Sequence, residues 1–104
     1  MTDLLTHRRY AAARHLLASP SIALRTRRHV ADGRIDWYGV LAERTTMSGG
    51  EQFLVDIAHR VATGRAVPDS YELSGRLDAR NAERVAEAVA YLEEAQQPEL
   101  AAAA

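Results

Sequence analysis

Three groups of side chains in this sequence have types and spacings that could do chemistry. Arg25-Thr26-Arg27-Arg28-His29 is the densest basic run, and the planar arginine fork suits phosphate or carboxylate oxygens. With Arg8, Arg9 and Arg14 further upstream, it gives six arginines (Arg8, Arg9, Arg14, Arg25, Arg27 and Arg28) as the expected contacts to a partner. Asp56 and His59 stand three apart on an expected helix and could supply two metal ligands. A third ligand is not visible in the sequence, nor is an H-x3-H or H-E-x-x-H pattern, and Asp56 with Arg60 at i, i+4 makes a simpler ion pair. Ser48-Gly49-Gly50-Glu51 offers backbone amides at a helix start. The sequence has no cysteine, and all thirteen Lys/Arg positions are arginine. Thiol catalysis, cysteine zinc sites, Schiff bases and P-loop lysines are therefore excluded. No catalytic residue, metal or cofactor is assigned.

Two short stretches resemble catalytic families. Met47-Ser48-Gly49-Gly50-Glu51-Gln52 looks like the signature loop of ABC transporter ATPases, where helix amides face a phosphate. It comes without a glycine-rich loop ending in lysine, and Glu51 puts a negative charge where the anion would sit. The capping-box reading is preferred: the Ser48 hydroxyl accepts from the Glu51 amide while the Glu51 carboxylate reaches back. Arg9-Tyr10-Ala11-Ala12-Ala13-Arg14-His15 loosely resembles the Arg-x4–6-His spacing of HEPN-type ribonucleases, implying an arginine and a histidine acting on RNA phosphodiesters. Residues six apart are not neighbours on one helix face. A solvated basic face is the simpler account.

The elements that must position these groups read as helices. Residues 3–18 carry Leu5, Tyr10, Ala12, Ala13, Leu16 and Leu17 on one arc. Ser19-Pro20 reads as a cap and first-turn proline opening a second helix over about 20–31, which Asp32-Gly33 ends. Asp36 caps a short third helix bearing Trp37, Val40, Leu41 and Arg44, weakened by Gly39. Ser48 and Glu51 open a helix over 49–63 that Gly64 stops, and Asp69 with Glu72 opens a short one around Tyr71 and Leu73. Asp78 caps the cleanest helix, 79–96, with an apolar stripe of Ala82, Val85, Ala86, Val89 and Leu92, and Pro98 closes it. No strand is expected. The predicted core is Leu5, Leu16, Leu17, Ile22, Trp37, Leu41, Leu54, Ile57, Val61, Leu77, Val85, Val89 and Leu92.

These signals predict an all-α, single-domain bundle of five or six helices over 1–97, consecutive helices packing as neighbours, with an alanine-rich tail at 98–104 left outside. The stretch Trp37-Tyr38-Gly39-Val40-Leu41, then Ser48 to Glu51, then Leu77-Asp78 and Asn81 before Val85, resembles small helical proteins of high-GC actinobacteria and their phages. That likeness implies helices and carries no function.

Charge is sorted along the chain. Residues 1–34 hold seven arginines against two acids, and residues 69–104 hold eight acids against three arginines, while the formal net charge is only −1. A basic block of this kind faces phosphate, an acidic partner, or the chain's own acidic end. The second helix offers no asparagine or glutamine for reading bases, and only Tyr10 is aromatic in the basic third. The expectation is therefore a non-enzymatic protein–protein interaction or regulatory module, cytoplasmic, whose partner is an unknown protein or a second copy in a homodimer. The alternative is a nucleic-acid binder using the arginine helices. A signal peptide and a membrane span are not expected.

Overall fold

A computed structural model describes residues 4–96, with side chains described for 6–93. The side chain of Leu5, the stop at Pro98 and the tail at 98–104 lie outside the described residues. Six helices occur within them: α1 (Leu4–Leu17), α2 (Ala23–Thr26), α3 (Trp37–Arg44), α4 (Gly49–Thr63), α5 (Ser70–Arg76) and α6 (Ala79–Gln96). The protein is an all-α bundle.

Most boundaries follow from side chains that satisfy orphan amides. Ser48 Oγ accepts from the Glu51 amide at 3.3 Å, and Glu51 Oε1 accepts from the Ser48 amide at 2.9 Å, completing the capping box. Asp69 and Asp78 accept from the amides of Glu72 (2.9 Å) and Asn81 (2.8 Å) at the starts of α5 and α6. Asp36 caps α3 through the Gly39 amide at 3.2 Å. Gly64 ends α4 in the left-handed conformation.

The expected second helix is where sequence and structure part. Only Ala23–Thr26 is α-helical, followed by a single 3-10 turn over Arg27–His29. Val30–Ala31 (β1) then pairs antiparallel with Arg34–Ile35 (β2). Asp32-Gly33 is thus a two-residue hairpin turn and not a helix stop. Among the described residues no non-glycine has positive φ, and Gly33 has φ 80°. The turn therefore places its one left-handed position on the residue without a Cβ, as a type II turn does. Ser19 does not cap either: the N-cap of α2 is Ile22, with no side-chain cap bond, and the Ser19 hydroxyl donates to Asn81 Oδ1 at 2.6 Å. The Thr26 hydroxyl turns inward to the Leu17 carbonyl at 2.8 Å, and Asp36 N–H bonds the His29 carbonyl at 2.8 Å. Side-chain and long-range bonds thus replace the intrahelical ladder that a helix over 20–31 would need.

Consecutive helices from α2 to α6 touch as expected, but the heaviest packing is between helices distant in sequence. α1 lies between α4 and α6, and α3 covers another side of α4. Ala12, Ala13, Leu16 and Leu17 of α1 are buried there, with Val85 and Ala88 from α6. Because α4 is covered on more than one side, Phe53 and Val55 are buried along with the predicted Leu54, Ile57 and Val61. α3 inserts Val40, fully buried, while Leu41 stays 36% exposed and Trp37 is half-buried. Trp37, Val40 and Arg44 share one face at i, i+3, i+7, which turns Leu41 outward with Tyr38.

Tyr10 ties the hairpin to α1: its hydroxyl donates to the Ala31 carbonyl at 2.5 Å and accepts from the Gly33 amide at 3.1 Å. Tyr10→Phe is expected to cost about 0.5–1.5 kcal/mol in chemical denaturation and to speed hydrogen exchange at the Gly33 amide while leaving α4 and α6 amides protected. Unchanged exchange at Gly33 would show that the clamp does not hold the turn.

Candidate functional site

The six arginines that the sequence put forward as contacts divide into three kinds. Arg25 donates to Glu51 Oε1 at 3.3 Å. Arg28 grips Glu43 Oε2, with Nε at 3.0 Å and a second, shorter bond from Nη2. These two are neutralised within the fold. Arg8 and Arg9 are half-buried on α1. The Arg9 guanidinium lies against Gly64, where an added Cβ would stand 2.8 Å away. A cation there faces the C-terminal carbonyl end of α4, which favours positive charge. Arg14 and Arg27 are exposed and form no ion pair among the described residues.

Glu43 is the hub of the neutralised part. Its carboxylate receives Arg28 and also His29 Nε2 at 3.0 Å, and its side chain is only 17% exposed. The His29 and Arg28 hydrogen bonds hold the Glu43 carboxyl below its ordinary value of 4.5. The His29 ring lies against the backbone of α3: a Cβ at Gly39 would come within 2.2 Å of Nδ1. Gly39 therefore gives up helix propensity to admit the ring. Glu51 is also held low, chiefly by the Ser48 amide that it accepts, with Arg25 adding to it. The amides at the start of α4 thus face the chain's own carboxylate. The neighbouring cleft of about 320 Å³, where Ser21, Gly50, Arg76 and Asn81 meet, likewise contains Glu51 and Asp78.

The two catalytic resemblances dissolve in this geometry. Arg9 reaches toward α4, whereas His15 Nε2 bonds Glu87 Oε1 of α6 at 2.8 Å and its ring meets Tyr91 edge-on at 5.8 Å. The structure does not bring Arg9 and His15 together. Asp56 does not pair with Arg60. Arg44 holds both of its oxygens, at 2.8 and 2.9 Å, which raises the Arg44 pKa. His59 lies 5.0 Å from Trp37, ring centroid to ring centroid. α3 covers this face of α4. On α6, Glu87 and Arg84 turn to His15, the latter through its carbonyl at 2.9 Å.

What remains open is a groove along the outward face of α1. One half, about 220 Å³, is lined by Arg14, Leu17, Ala18, Ala23, Thr26, Arg27 and Val30. The other, about 300 Å³, is lined by Tyr10, Ala11, Arg14, His15, Ala18 and Tyr91. Arg14 and Ala18 border both halves, so the two adjoin. The broken second helix and hairpin form one wall and α6 the other. Sequence reasoning missed this because it depends on Asp32-Gly33 being a turn. The two-residue Asp-Gly spacing between Val30-Ala31 and Arg34-Ile35 was the available signal.

No family model matches the chain, and no curated protein or solved structure is significantly similar to it. The site must therefore be read from its own chemistry.

Two substitutions probe the Glu43 hub. A carboxyl whose folded pKa is depressed stabilises the fold above its unfolded pKa, and that contribution disappears as pH falls through the folded value. Wild type is therefore expected to exceed Glu43→Gln in stability near pH 7, with the gap closing as pH falls below the ordinary carboxyl value of 4.5. A gap that does not change with pH would contradict the assignment. Gly39→Ala overpacks the His29 ring, at roughly 1–3 kcal/mol, and regains about 1 kcal/mol of helix propensity. Thermal unfolding should show a net loss of roughly 1 kcal/mol, where an open site would have shown a gain.

Proposed function

We propose that the protein is a small non-enzymatic interaction module, cytoplasmic and regulatory in role, that takes an acidic protein surface into the groove over α1. One observation carries this reading. Of the basic residues in the N-terminal third, Arg25, Arg28 and His29 have internal carboxylates, whereas Arg14 and Arg27 form no ion pair among the described residues and stand at a groove with an aliphatic floor. Arginine over apolar surface suits a carboxylate carried by an amphipathic helix, since its stem covers methyl groups while its fork grips the acid.

The nucleic-acid reading has less behind it. A four-residue α2 is too short to serve as a recognition helix in a major groove. Internal neutralisation of Arg25 and Arg28 also removes much of the patch that would meet phosphates. Among the described residues no helix is long and apolar enough to cross a membrane.

The test is fluorescence anisotropy with a labelled helical peptide of alternating glutamate and leucine faces, alongside labelled single- and double-stranded nucleic acids. The peptide is expected to bind, and Arg14→Glu with Arg27→Glu to weaken it by about tenfold or more, equivalent to 1.4 kcal/mol. Tight nucleic-acid binding with a steep salt dependence, or peptide binding indifferent to both substitutions, would overturn the reading.

A further inference from the structure

We infer that the acidic surface taken up by the groove is the outward face of α6 of a second copy of this chain, each copy donating its α6 to the groove of the other. The inference rests on the proposal that the groove receives an acidic helix, and it names that helix.

The outward stripe of α6 is Glu83, Ala86, Ala90 and Glu93, all exposed and spaced i, i+3, i+7, i+10 along one line. It puts alanines between two carboxylates about 15 Å apart at 1.5 Å rise per residue. Neither Glu83 nor Glu93 forms an ion pair among the described residues, whereas Glu87 beside them is occupied by His15. The groove presents the complement: small residues Ala11 and Ala18 on its floor, with Arg14 between them and Arg27 on the wall. Alanine facing alanine lets two helices approach near the close end of the usual 8–10 Å range, which brings the glutamates to the arginines. Charge complementarity selects this occupant over an apolar one.

The arrangement also closes on itself. Tyr91 of α6 lines the groove within the same chain, so the donating helix and the receiving groove adjoin. Adjoining donor and receiver are what a two-fold axis beside α6 requires, and the same contact is then made twice. The sorted charge of the sequence becomes, on this account, a device for pairing two molecules: each has a basic groove and an acidic helix, and each supplies what the other lacks.

The test uses the intact chain in sedimentation velocity at about 0.05 M and about 0.5 M salt. Wild type is expected to dimerise at low salt and to dissociate toward monomer at high salt. Arg14→Glu/Arg27→Glu and Glu83→Arg/Glu93→Arg should each be folded by circular dichroism and each be monomeric, with association weakened about tenfold or more. Mixed in equal amounts, the two variants should form a heterodimer, because acidic groove then meets basic helix at one contact and basic groove meets acidic helix at the other. Wild type that is monomeric at every concentration, a dimer unchanged in both variants, or a mixture that fails to associate would overturn the inference. The designed acidic peptide separates the two levels of the argument: peptide binding by a monomeric wild type that is lost in Arg14→Glu/Arg27→Glu overturns the dimer and leaves the interaction module standing, whereas a monomer that ignores the peptide or binds nucleic acid in its place overturns both.

Discussion

The seat of α1 between α4 and α6 is the constraint on which the rest of this structure depends. Ala12, Ala13, Leu16 and Leu17 are buried in that seat, and alanine on the contact face lets the backbones draw close. Once α1 is held on two sides, its remaining side is fixed as an outward face bearing Ala11, Arg14 and Ala18. The chain that follows α1 must turn at Ser19-Pro20 and run back along that face. It does so as a short helix, a 3-10 turn and a hairpin, with long-range claims on its side chains: Thr26 by the Leu17 carbonyl, Arg25 by Glu51, Arg28 and His29 by Glu43. The groove is the consequence of those claims.

The segregated charge has a different resolution from the one suggested by counting along the sequence. Although α1 packs on α6, the ion pair seen between the basic and acidic thirds among the described residues is His15 with Glu87. The acids that neutralise the basic block come from the middle of the chain, Glu43 on α3 and Glu51 on α4. This economy leaves charge of both signs over on adjoining surfaces. Arg14 and Arg27 are left on one wall and floor, Glu83 and Glu93 on the neighbouring helix. On the proposed reading, a basic site with an apolar floor lies next to a helix whose Glu83 and Glu93 form no ion pair among the described residues, which suits protein recognition better than the reading of nucleic acid.

Much of the fold was legible because its signals are local. The Ser48/Glu51 box, the Asp69 and Asp78 caps and the stop at Gly64 each involve residues within one turn, and α4 begins and ends where they place it. The stripe of α6 is likewise a matter of spacing within one helix. What escaped was decided at long range. His29 is drawn out of a helical pattern by Glu43, fourteen residues later, and Gly39 reads as a weak point in α3 until the ring it admits is seen. Asp56 with Arg60 is a sound local pair, displaced by Arg44 from another helix. The candidate site suffered most, because six arginines that look alike in sequence acquire three different roles from neighbours that no spacing rule names.

That division of roles is the central claim, and single neutralising substitutions at four arginines, compared by denaturant unfolding, test it most directly. Arg25→Gln and Arg28→Gln should lower stability, since each leaves Glu51 or Glu43 without its cation, while Arg14→Gln and Arg27→Gln should fall within about 0.5 kcal/mol of wild type. Equal effects at all four positions, or a larger loss at Arg14 and Arg27 than at Arg25 and Arg28, would contradict it.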